Sequence, residues 1–142
     1  PKTPKPLADN CVIFEYLVYM EEENEPIVID IGSGTLKAGN ASDDAPKHLI
    51  PMVMGKPKSK GALIGMDQKE WYIGQEALSK KALLEFHEPV VAGRIQDIGH
   101  MEQILGHLMN DVMQRTLEEH KVMCTEIPLN LMSKREEFVD LM

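Results

Sequence analysis

Five residues carry the chemistry of this sequence: Asp30, Gly32, Ser33, Gly34 and Lys37, in the pattern DxGSGxxK. A phosphate needs several donors converging on it. Tight glycine-containing turns expose successive backbone N–H groups, and such nests bind anions. The turn Gly32-Ser33-Gly34 supplies that material, with the Ser33 hydroxyl as a further donor. Lys37 brings a cation to the same anion. Asp30, after the apolar run Ile27-Val28-Ile29, suits Mg²⁺ held through water, because Mg²⁺ gives up its hydration shell reluctantly. By spacing alone the same residues also fit a plain glycine-containing hairpin with a surface lysine.

For Asp30 and Lys37 to serve one ligand, residues 27–31 must form a strand and residues 35–40 its hairpin partner. The rest of the chain is read as support for that device. Residues 42–46, SDDAP, are a turn cluster. Residues 48–54 predict a third strand, with Pro51 at an edge or bulge. Residues 55–66, GKPKSKGALIGM, have no period and read as a loop with local positive charge. A short strand is predicted at 71–74, a short helix at 75–81 and another strand at 89–95.

Asp97 to Gln114 gives the clearest helix. Ile98, Met101, Ile104, Leu105, Leu108, Val112 and Met113 recur at spacings that place them on one face, and Asp97 is the N-cap. A strand is predicted over 121–127, ending at Pro128. Ser133 then caps a final helix, with Glu136 completing a capping box. The order of elements is that of an α/β fold with a mixed sheet.

Composition narrows the partners. A length of 142 residues suits one domain or a piece of a larger one. A net charge of -8 argues against direct nucleic-acid binding, which needs a basic face. Two cysteines, Cys11 and Cys124, make no disulfide framework and suit a reduced, intracellular setting. No apolar run approaches the ~20 residues that span a bilayer. The longest, residues 11–20, is broken by Glu15 and follows no signal-peptide pattern.

Residues 1–25 are read as an N-terminal extension: a proline-rich arm, then the apolar segment 11–20, which suits a strand or a partner-docking segment, then an acidic linker. His100 and His107 fall on one helix face but gain no third ligand, so they read as surface or packing residues. Lys56, Lys58, Lys60 and Lys69 make a basic patch, either solvated or in contact with an acidic partner.

From about Pro26 to Met142 the sequence resembles actin and the actin-related proteins. IDIGSGTLKAG is similar to the first phosphate-binding loop of that family, and Asp43-Asp44-Ala45-Pro46 follows it as in the family. Residues 55–80 carry the family's Y-x-G-x-E-A-x-S-K sign at Tyr72 to Lys80. Further blocks are His100-Met101-Glu102, Glu118-Glu119-His120, TEIPLN at 125–130 and Arg135-Glu136. They keep the family's order and spacing, and TEIPLN argues against a sugar kinase or an Hsp70-type chaperone, which use a similar hairpin.

The resemblance implies an actin-like ATPase (ribonuclease H-like) fold, of which residues 26–142 are the first lobe. Residues 52–88 would be its small inserted subdomain and 58–70 the flexible loop that enters a neighbouring subunit in filaments. It implies that Gly32, Ser33, Gly34, Thr35 and Lys37 contact the phosphates of ATP or ADP, with Asp30 near the water-coordinated Mg²⁺. It also implies a structural role in a cytoskeletal filament or complex, with other protein subunits as partners.

Departures qualify that picture. Ile31 stands where actin has Asn, Asn40 where it has an aromatic, and Ala92 in place of the methylated histidine near the phosphates. Ile98-Gly99-His100 replace Trp-Asp-Asp. The sequence stops before the family's catalytic glutamine, second phosphate hairpin and adenosine-binding lobe. No hydrolysis is therefore expected from it alone. The alternative is a nucleotide-free half-actin, an interaction module that completes its fold against a partner chain.

Overall fold

Alternation along residues 27–31 sends Ile27 and Ile29 to one side and Val28 and Asp30 to the other. The computed structural model describes residues 25–59 and 69–142. The readings of the arm, of the apolar segment 11–20, of most of the acidic linker and of the loop centre 60–68 lie outside the described residues.

The strands are β1 (Ile27–Ile31), β2 (Thr35–Asn40), β3 (His48–Pro51), β4 (Met54–Pro57), β5 (Tyr72–Ile73), β6 (Leu84–His87), β7 (Val90–Val91), β8 (Arg94–Ile95) and β9 (Val122–Cys124). The helices are α1 (Gly74–Ser79), α2 (Ile98–Gly106), which continues as a π-helix over His107–Met113, and α3 (Met132–Leu141). The main sheet has the order β3-β2-β1-β9. Its first three strands are antiparallel, and β1 pairs with β9 in parallel. The sheet is therefore mixed, as the order of elements predicts.

The core lies on the Ile27–Ile29 side of this sheet. Leu36, Ala38 and Ile50 join those two residues, and Met101, Ile104, Leu105 and Leu108 of the long helix close over them. Each large side chain buried this way is worth roughly 1.5–3 kcal/mol. Asp97 caps α2 by accepting a hydrogen bond from the His100 backbone N–H at 3.0 Å. The other side of the sheet is open: Leu49 is 63% exposed and Met123 40%.

Four local readings need correction. Residues 48–54 are not one strand. The chain turns at Pro51–Val53, where Val53 N–H reaches the Pro51 carbonyl at 2.8 Å, and β3 and β4 join different sheets. Pro51 has no N–H to carry the ladder onward.

Residues 89–95 are a hairpin, β7 against β8, with Ala92 (φ 49) and Gly93 (φ 76) as its two-residue turn. Positive φ at both positions is what a tight hairpin turn demands, and an alanine does not advertise it. β6 was not anticipated; it completes a small sheet, β5-β4-β6, over a second cluster of Tyr72, Ala77 and Leu84. Finally, Ser133 lies inside α3. The N-cap is Leu131, which makes no side-chain cap, and the Asn130 side-chain oxygen accepts the Leu131 N–H instead.

Candidate functional site

Parallel pairing places the carboxyl ends of β1 and β9 side by side, where sheets of this kind hold their ligands. Asp30 comes from β1, and Thr125 follows β9. The Thr125 hydroxyl donates to Asp30 Oδ1 at 2.7 Å and accepts the Ile31 N–H at 3.2 Å. The Thr125 N–H reaches the Ile29 carbonyl at 3.0 Å, so backbone and side chain both fix this junction.

Lys37 stands directly opposite Asp30 in the hairpin register, and its Nζ lies 2.8 Å from Asp30 Oδ2. Both side chains are about half exposed. The Lys37 ammonium, then the Thr125 hydroxyl, hold the Asp30 carboxyl below its ordinary value of 3.8, against a smaller opposing effect of burial.

The turn sits above this pair. At Gly32 a Cβ would come 2.9 Å from the Thr35 carbonyl oxygen, so the backbone leaves no room for a side chain. At Gly34 a Cβ would meet nothing within 4 Å, so the turn is open on that side. Ser33 Oγ accepts the Gly93 N–H at 2.7 Å, which leaves its own proton to donate elsewhere. The N–H groups of Gly32, Ser33 and Gly34 enter none of the turn and loop hydrogen bonds among the described residues. Thr35 opens β2 opposite Pro51, at the rim of the turn.

Asp30, Gly32, Ser33, Gly34, Thr35 and Lys37 thus meet at one end of the hairpin. Two groups were missed from sequence: Thr125 and the Gly93 N–H. The parallel pairing of β1 with the strand before TEIPLN is the signal that points to Thr125. Gly93 reaches Ser33 only through the hairpin that the one-strand reading of 89–95 concealed.

Beside the pair, a cleft of about 340 Å³ runs past Val28, Gly39, Asn40, Asp43 and Asp44. Among the described residues no group of three or more His, Cys, Asp or Glu side chains converges as a metal cage. Asp30 with water is the kind of sparse site that Mg²⁺ accepts. His100 and His107 do not share a site. His100 packs 4.7 Å from the Trp71 ring, and His107 Nδ1 lies 2.7 Å from Asp111 Oδ2.

A mixed sheet with helices packed over one side makes this an α/β fold. The family model described as Actin matches residues 21–142, and the chain belongs to the actin family. It is 38% identical over 119 residues to a protein named centractin from Schizosaccharomyces pombe, covering 83% of this chain and 31% of that protein. It is 40% identical over 114 residues to an actin-like protein from Neurospora crassa, covering 80% of this chain and 30% of that one. The chain therefore spans under a third of the length of these relatives. No helix among the described residues is long and apolar enough to cross a membrane.

Proposed function

We propose that residues 26–142 form the first lobe of an actin-type nucleotide site, with 52–88 as its inserted subdomain, in a protein with a structural role in a cytoskeletal assembly. Its partners are other subunits of a filament or complex, and its setting is cytoplasmic. The observation that carries this reading is the closure of Asp30, Lys37 and Thr125 beneath an open Gly32–Gly34 turn.

ATP or ADP with Mg²⁺ fits the groups present. The free N–H groups of the turn and the Ser33 hydroxyl are donors for phosphate oxygens. Lys37 keeps protons beyond the one given to Asp30, since an ammonium has three. Asp30 keeps lone pairs for metal-bound water. Bound nucleotide supplies the charge that this turn is arranged to hold. No residue here is assigned a catalytic role in hydrolysis, which needs the γ-phosphate and an attacking water both positioned.

A second reading, a nucleotide-free interaction module, has one observation in its favour. Both Asp30 oxygens are already satisfied within the chain, by Lys37 and Thr125. Titration of Mg-ATP separates the two. Under the first reading the wild-type chain binds, and Lys37→Ala weakens binding about 10- to 100-fold, the worth of one charge-assisted hydrogen bond. Equal affinity in the variant counts against the hairpin assignment. Absence of binding to a folded wild-type chain favours the module.

A further inference from the structure

A second cleft lies away from the Asp30 site, between the segment leading into α1 and the outer side of the long helix. It holds about 460 Å³, and its walls include Trp71, Ile73, Glu102, Gly106, His107 and Asp111. Its floor is open at Gly106, where a Cβ would meet only Asn110 Nδ2, at 4.0 Å. Glycine is among the weakest helix formers. From the next residue the helix widens into π geometry, a rare form found frequently at functional sites. Both features weaken the helix, and both fall on the wall of this cleft.

The charges around it are unevenly balanced. Glu76 is held by Lys69 at 2.9 Å and Lys80 at 2.7 Å, and Glu70 lies 3.6 Å from Lys56. On the helix wall, Glu102 has no ion pair among the described residues, and Asp111 is bonded to the imidazole of His107 at 2.7 Å. Trp71 is fixed as the opposite wall by the His100 ring and by the Lys56 ammonium, 5.3 Å from its ring centroid.

We infer that this cleft docks an extended basic segment of a protein partner. Two arginine or lysine side chains reach Glu102 and Asp111, and the backbone between them passes over Gly106. Nine positions separate the two carboxylates, the last four in the wider π turns, so they stand at most about 13 Å apart along the axis. An extended segment covers about 13 Å in four residues, so its cations stand at i and i+4. Complementary charge selects such a partner over a neutral or acidic one and makes the contact salt-sensitive.

Trp71 is the single tryptophan of the chain and reports on the cleft directly. The probe is the capped peptide arginine-(alanine)₃-arginine, titrated into the full chain while tryptophan fluorescence is followed. The expected result is a saturable change, with affinity falling about tenfold in Glu102→Gln or Asp111→Asn, the size of one charge pair. Gly106→Leu fills the floor while favouring the helix, so it should abolish binding with the circular dichroism spectrum intact.

Three results overturn the proposal: no saturable change, equal binding of the citrulline counterpart, or full binding to Gly106→Leu. Binding gained only after Lys58 and Lys60 are both replaced by glutamine also overturns it, since it places the chain's own basic loop in the cleft.

Discussion

Thr125 and Asp30 are joined by a 2.7 Å hydrogen bond across 95 positions of sequence, and the same hydroxyl holds the Ile31 N–H. One side chain therefore ties β1 to the strand beside it at the point where the candidate site begins. Thr125→Val keeps the shape and removes both hydrogen bonds. It should lower stability by about 1–2 kcal/mol, whereas Thr125→Ser should leave it nearly unchanged. Urea unfolding of the three proteins measures this; a valine variant as stable as the parent would show the junction to be incidental.

Acid sensitivity follows from the same carboxylate. The folded-state value of Asp30 is depressed by Lys37 and Thr125, so its stabilising contribution is complete above the ordinary value of 3.8. As pH falls below that value and through the depressed one, the contribution is lost. Asp30→Asn should therefore flatten the dependence of the urea midpoint on pH between about 5 and 2. An unchanged slope in the variant would assign the acid response to other carboxylates.

The two glycines of the turn should respond differently to alanine. Gly34 has open space where a Cβ would stand, and its φ is not positive. Gly34→Ala should change stability by less than about 0.5 kcal/mol. If a phosphate occupies that space, the methyl group should still weaken Mg-ATP binding about tenfold. Gly32→Ala meets the Thr35 carbonyl at 2.9 Å and should destabilise the hairpin itself. Calorimetric binding and thermal unfolding on each variant separate the two effects.

Gly74 is a test of the small sheet rather than of the site. Its φ is +58, and a Cβ there would lie 2.8 Å from Ile50 Cγ2. Gly74→Ala combines a left-handed backbone with a clash against the core, and should cost about 1–3 kcal/mol. A variant with the parent's urea midpoint would mean that the turn into α1 relaxes freely.

Burial pushes the Cys124 thiol up to about 12, so the thiolate is scarce at neutral pH. In a Cys11→Ser background, a disulfide reagent at pH 8 should label Cys124 much more slowly than a free thiol. Labelling at the rate of a free thiol would contradict the burial that raises this thiol.

Much of this was legible in sequence because it depends on local patterns. The hairpin register follows from the alternation of Ile27 and Ile29 with Asp30, and the long helix from apolar spacing and its Asp97 cap. The misreadings share a cause. Ala92 in a positive-φ turn, the break after Pro51 and the cap at Leu131 rest on backbone geometry that the residue types at those positions do not signal. Thr125 is the clearest case. Nothing in TEIPLN alone says that its first residue belongs to the site; that depends on the parallel pairing of β9 with β1.

That pairing also sets an order of events. A hairpin closes quickly from residues a few positions apart, but a contact spanning 95 positions pays a larger loop-closure entropy and forms late. During synthesis, Asp30 and Lys37 can meet long before Thr125 has emerged. The turn is therefore assembled early and locked late, and a ribosome stalled before residue 125 carries a hairpin still free to pair with something else.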